Sequence, residues 1–243
     1  MSRLSFLLLA LAFATPLPAQ TNETTFTSKS TRTHLLELYT SEGCSSCPPA
    51  EAWFSQLKDA PGLWQNFVPL AYHVDYWDRL GWRDPFASKA WTARQYAYSA
   101  LWKSGSVYTP GFVLDGKEER DREIPSASNE KAGILKVSLR GSDRAQVSYE
   151  PANAAGRSFT VHVAKLGFGL KIKVKAGENK GRDLSHDFVV LGQTDVPLTS
   201  ASAEVRIPAN DAPTASPTRT ALAVWVTEVG RLEPLQATGG WLR

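Results

Sequence analysis

The chain has 243 residues, 42% apolar and 21% charged, with a formal net charge of +3. That length and composition exclude both a disordered chain and a staple-dependent mini-protein, and so small a net charge makes no global case for nucleic acid. The only two cysteines are Cys44 and Cys47, which excludes a disulfide-rich scaffold and a four-cysteine zinc site and leaves one local pair.

Residues 1–19 read as a signal peptide. Arg3 precedes an apolar run from Leu4 to Ala14, and small residues offer cleavage after Ala14 or Ala19. The run is shorter than the roughly 20 apolar residues that a bilayer span requires, and no later stretch reaches that length. The expectation is a periplasmic or secreted protein with no membrane span. Residues 20–33, rich in Thr and Ser, are expected to be a flexible lead-in.

From His34 to Gly116 short apolar runs alternate with helical patterns. His34 to Tyr39 fits a buried strand, Ala50 to Leu57 a helix, and Phe67 to Val74 a second strand. Phe86 to Trp102 fits a second helix with Trp91, Tyr98 and Trp102 on one face. Val107 to Leu114 fits a third strand, closed by the turn pair Asp115-Gly116. The charged stretch 117–131 has no sustained period and marks a domain boundary. Beyond it apolar residues recur at every second position: Phe159/Val161/Val163, Ile172/Val174, Val205/Ile207 and Leu222/Val224/Val226. About seven short strands separated by turn residues predict a β-sandwich. The expected fold is therefore an α/β domain over residues 34–130 followed by an all-β sandwich-like domain over 131–243.

The chemistry concentrates in Gly43-Cys44-Ser45-Ser46-Cys47-Pro48-Pro49, which follows the first strand and opens a helix. A thiol at a helix N-terminus meets backbone N–H groups and the positive end of the macrodipole, so its thiolate is stabilised and attacks disulfides near neutral pH. In this reading Cys44 is the nucleophile and Cys47 the resolving thiol. Pro48 and Pro49 are compatible with the helix, whose first turn needs no N–H donors. Two other readings stand beside it: an inert disulfide, and a metal site in which His73 joins Cys44 and Cys47 to hold copper(I) or zinc. His73 ends the second strand and is also placed to tune the thiolate.

Strand, CxxC, helix, strand, helix, Val107-Tyr-Thr-Pro110, strand and Asp-Gly turn together resemble the thioredoxin-like superfamily over His34 to Gly116. That resemblance implies a cis bond at Thr109-Pro110 beside the CxxC, with Thr109 and Pro110 positioning the main chain of a substrate. It also draws attention to Glu37 as the nearest acid for proton handling, although Gly43 and Leu38 depart from the thioredoxin pattern. The runs LYTSEGCSSCPPAEAW, HVDYWDRLGWRDPFAS, RQYAY, SVYTP and GENKGRDLSHDFVV resemble, more closely, a bacterial exported family catalogued as domain of unknown function 1223.

The leading functional expectation is an exported thiol–disulfide oxidoreductase acting through Cys44 and Cys47 on a protein or small-molecule disulfide or dithiol. No cofactor and no nucleic-acid partner are expected. The alternatives are a periplasmic copper or zinc chaperone using Cys44, Cys47 and His73, or a non-catalytic interaction module. Trp77 and Trp82 are weighed as the walls of a groove, and Asp75 and Asp78 as loop caps. Lys171, Lys173 and Lys175 are read as a solvated strand face, and His162 receives no role. Asn179 and Asp183 fit a Gly-rich hairpin, with a functional loop as the lesser reading.

Overall fold

A computed structural model describes residues 24–154, 156–210 and 216–242. The expected signal peptide lies outside the described residues. In chain order the strands of the first half are β1 (Thr25–Thr27), β2 (His34–Thr40), β3 (Phe67–His73), β4 (Gly111–Leu114) and β5 (Lys117–Glu119). Helix α1 (Pro48–Gln56) lies between β2 and β3, and α2 (Lys89–Trp102) between β3 and β4. Nine strands follow: β6 (Gly133–Arg140), β7 (Arg144–Pro151), β8 (Phe159–Phe168), β9 (Leu170–Lys173), β10 (Asp183–His186), β11 (Val189–Leu198), β12 (Ser202–Arg206), β13 (Arg219–Glu228) and β14 (Pro234–Trp241).

Local chemistry explains most of these boundaries. Helix α2 starts where Ser88, in an extended conformation, accepts a hydrogen bond from the Ala90 amide. It stops at Lys103, which turns into the left-handed region at φ 56°. The β4–β5 hairpin turns on Asp115 and Gly116, both at positive φ (49° and 82°), as a tight two-residue hairpin requires.

The sheets do not divide the chain in two. Strands from both halves join in one eight-stranded mixed sheet of order β14-β13-β8-β11-β3-β2-β4-β5. Strands β2 and β3 run parallel over seven residue pairs, and β3 meets β11 at Ala71↔Val189. A four-stranded sheet, β1-β6-β7-β12, packs on the other strands through Leu135, Val137, Val147, Val161, Val163, Val224 and Val226. In β13 the alternation is complete: Leu222, Val224 and Val226 face that second sheet. Ala221, Ala223 and Trp225 face a core shared with Leu38, Tyr39, Phe54 and Tyr72 of the first half.

The expected fold class, an α/β thioredoxin-like domain followed by a separate sandwich, is thereby overturned. Among the described residues 44% are in strands and 14% in helices, and the large sheets are mixed. The physical reason is coverage. With two helices, the first half cannot bury both faces of β2 and β3, as a sheet with buried parallel strands demands. Phe168, Phe188 and Trp225 from the second half complete that core. Residues 20–33 also differ from expectation where they are described, because β1 pairs with β6 and Thr33 is buried, its amide donating to the Gln236 side chain. No helix among the described residues is long and apolar enough to cross a membrane.

Candidate functional site

Cys44 and Cys47 form a disulfide at the strand-to-helix turn between β2 and α1. Cys47 is the N-cap of α1, Pro48 and Pro49 fill the first helical positions, and the Cys47 carbonyl accepts from the Ala50 and Glu51 amides. The approach to this turn is tight. A Cβ on Gly43 would lie 2.9 Å from Trp77 Cβ, so any larger residue there would have to displace Trp77. The Trp77 ring N–H donates to Thr109 Oγ1 at 2.8 Å, and the Thr109 carbonyl oxygen lies 3.8 Å from Cys44 Sγ across a cis Thr109-Pro110 bond. Cys44 and Cys47 are only 1% and 0% exposed, whereas Ser45 and Ser46 between them are exposed.

A loop from the second half completes the frame. The Asn179 carboxamide, fully buried, donates to the Glu42 and Cys44 carbonyls at 2.8 and 2.9 Å. The neighbouring Glu178 carboxylate accepts from the Ser45 amide at 3.0 Å. It therefore sets a negative charge at the same helix end as the sulfurs, opposing thiolate formation there. Because Glu178 is exposed, water and salt screen that opposition.

Beside the disulfide lies a buried ionic cluster. His73 Nδ1 is 2.7 Å from Asp84 Oδ2, which also accepts from the Glu42 amide at 2.8 Å. His186 Nδ1 is 2.6 Å from Glu51 Oε2, and the other Glu51 oxygen accepts from the Thr40 hydroxyl. The Trp82 ring N–H donates to Glu42 Oε2 at 2.6 Å. Burial by itself would raise the pKa of Glu51, but the adjoining His186 charge and hydrogen bond prevail and hold it at about 2. Burial likewise opposes the charge on His186, yet Glu51 and Glu42 lift it to about 10. His73 is raised against its burial by Asp84, and Asp84 is lowered against its burial by His73.

The expected site residues thus fall into different places. Cys44, Cys47, Thr109 and Pro110 come together. His73 is engaged by Asp84 and stacks edge-on against Phe86 and His186, while both cysteine sulfurs are committed to each other. Glu37 sits elsewhere, in a bidentate pair with Arg94. Trp77 and Trp82 direct their ring N–H groups at Thr109 and Glu42, so they brace the CxxC loop. Asp75 caps locally through Thr92, and Asp78 through the Asp84 amide. The three lysines of 171–175 are exposed, as expected of a solvated face. His162, to which no role was assigned, is buried between Asp195 and Thr227 and stacks on Trp225. Glu42, Glu51, Asp84, His186 and Glu178 were not foreseen. Their only trace in the sequence is that all five stand within the LYTSEGCSSCPPAEAW, HVDYWDRLGWRDPFAS and GENKGRDLSHDFVV runs.

A cavity of about 240 Å³ opens between α2 and the segment leading to Thr109, lined by Tyr39, Gln95, Trp102, Tyr108 and Phe112 among others. Gln95 secures its rim by donating to the Tyr108 carbonyl at 2.7 Å.

Fold and site together define a β-rich protein that carries a CxxC disulfide at the start of a helix, clamped by a loop from the far half of the chain. The chain belongs to the family described as Protein of unknown function (DUF1223), whose profile matches residues 35–227. Among solved structures it is similar to an Agrobacterium tumefaciens protein determined by X-ray crystallography, at 23% identity and a TM-score of 0.60, covering 88% of this chain and 95% of that one. It is also similar to HBP35 of Porphyromonas gingivalis, at 13% identity and a TM-score of 0.50, covering 88% and 76%. No curated protein matches it.

Proposed function

We propose that the protein is an exported thiol–disulfide oxidoreductase whose working couple is Cys44/Cys47. The observation that carries the reading is the placement of this disulfide at the N-terminus of α1, with the Thr109 carbonyl 3.8 Å from Cys44 Sγ. A partner's main chain laid along Thr109-Pro110 would bring its own sulfur to Cys44. In the reducing direction the Cys44 thiolate attacks a substrate disulfide and forms a mixed disulfide, releasing one substrate thiol. Cys47 then attacks Cys44 Sγ, closing the internal disulfide and releasing the second thiol. The oxidising direction is the reverse, with substrate dithiol as reductant. The cavity beside Tyr108 would accept an apolar side chain of a protein substrate.

Equilibration against glutathione or dithiothreitol, read by thiol labelling, tests this. A reversible couple between about −120 and −270 mV is expected, the range of known oxidoreductases. Replacing Cys44 by Ser abolishes exchange. A bond below about −300 mV, or exchange that survives Cys44→Ser, refutes the reading. The near-complete burial of both sulfurs favours one competitor, a non-catalytic interaction module. Thiols that resist labelling in the native reduced protein would select it.

A further inference from the structure

Five ionisable side chains, Glu42, Glu51, His73, Asp84 and His186, all buried, meet next to the Cys44 loop. Three carboxylates there face two imidazoles. Buried carboxylates require compensating positive charge, supplied either by protons on both rings or by a bound cation. Hydrogen bonding leaves part of the set unused. His73 Nε2, His186 Nε2 and Glu42 Oε1 are all buried without a hydrogen-bond partner. The His186 Nε2 to Glu42 Oε1 separation is 3.2 Å, but outside hydrogen-bonding geometry. Asp84 holds His73 by Nδ1, which leaves Nε2 as the donor atom; carboxylates orient metal-ligating imidazoles in this way. One ligand atom each from Glu51, His73 and His186 lies within 4.8 Å of the other two. The two rings are 5.1 Å apart and nearly perpendicular, and Phe86 packs against both.

From this geometry we infer that Glu51, His73 and His186 form a binding site for a divalent cation of the zinc type, with Glu42 as a further carboxylate donor at its edge. Two imidazoles with carboxylate oxygens suit zinc and its first-row neighbours better than calcium or magnesium, which favour all-oxygen shells. A divalent cation bound to two neutral rings carries the same charge as two imidazolium protons, so loading leaves the buried charge unchanged. The site is separate from the cysteine pair and does not depend on redox turnover. Its role follows from its position: Glu42 and Glu51 flank the CxxC, His73 ends β3 and His186 ends β10, so the cation ties the disulfide loop to the second half of the chain.

The test is a titration of chelator-treated protein with zinc against a chromophoric competitor, with bound metal counted per chain. One equivalent is expected, and it persists in the Cys44→Ser/Cys47→Ser variant. His73→Gln and His186→Gln each weaken binding by at least about tenfold. Cobalt(II) reads the donors in the wild-type chain, so the result does not hinge on a variant folding. Nitrogen and oxygen ligation gives d–d bands without sulfur-to-metal charge transfer, and zinc but not magnesium raises the melting temperature. Absence of stoichiometric zinc, loss of the metal with the cysteines, or indifference to both histidine substitutions overturns the inference.

Discussion

Arg94 brings a full charge into the core, its guanidinium carbon 5.6, 5.3 and 5.6 Å from the ring centroids of Tyr72, Tyr98 and Trp225. Glu37 meets it with two hydrogen bonds, at 2.7 and 2.9 Å, and accepts two more from the Tyr39 and Tyr98 hydroxyls. Burial, then the Glu37 charge, pushes both tyrosines well above their ordinary pKa, so they remain donors. Adjacent residues of a strand face opposite sides, and Glu37 shares its side with Tyr39, two residues on, whose hydroxyl donates to it. The sequence did not reveal the charged partner, because Arg94 is 57 residues away on α2. Breaking one side of a buried pair strands the other charge, so Arg94→Met should cost about 3–5 kcal/mol in urea unfolding. The double variant Glu37→Gln/Arg94→Met should be less damaged than that single change, because no charge is left unpaired. A single-variant loss below about 1 kcal/mol would show the pair to be mere surface chemistry.

Among the elements, the loop between β9 and β10 links fold to site. Its pattern of Gly177, Asn179 and Gly181 reads as a hairpin, and β9 and β10 do pair antiparallel over four residues. What the pattern withholds is the target of Asn179, since its acceptors belong to a loop more than 130 residues earlier. The same holds for Glu51, whose partner His186 is 135 residues away. Removing the carboxamide takes the donor from the buried Glu42 carbonyl and one of two donors from the Cys44 carbonyl, which also accepts from the Cys47 amide. Asn179→Ala should therefore lower stability by about 1–3 kcal/mol. It should also speed reduction of the Cys44–Cys47 disulfide by dithiothreitol, because the clamp shields that loop. Unchanged stability together with an unchanged reduction rate would remove Asn179 from the site. Helix α1, by contrast, departs from its expected range Ala50 to Leu57 mainly at its first turn, where Pro48 and Pro49 open the helix because those positions need no N–H donor.

For the whole molecule the question is cooperativity. Phe54, Phe188, Phe168 and Trp241 form a continuous chain of aromatic contacts from α1 to β14, with centroid distances of 5.6, 4.8 and 4.6 Å. Unfolding one half would expose the core face of the other. Calorimetry should accordingly show one transition whose calorimetric and van't Hoff enthalpies agree. A fragment ending at residue 130 should lack dispersed amide resonances, since it loses Phe168, Phe188 and Trp225. Two resolved transitions, or a folded fragment, would restore independent domains.

Periodicity and turn chemistry are local quantities, and from them the sequence alone determined where β2 and β3 begin and located α1 and α2 to within two or three residues at their starts. It also determined the tight turn at Asp115-Gly116 and the CxxC at a helix start. Local quantities carry no information about which faces meet. Only the tertiary structure decided that β3 pairs with β11 and that His186 and Asn179 stand beside the cysteines. It alone closed the buried charge on Glu37, Glu51 and Asp84. Those outcomes depend on burying apolar faces that each half cannot cover by itself, and on the need of every buried charge for a partner supplied from far along the chain.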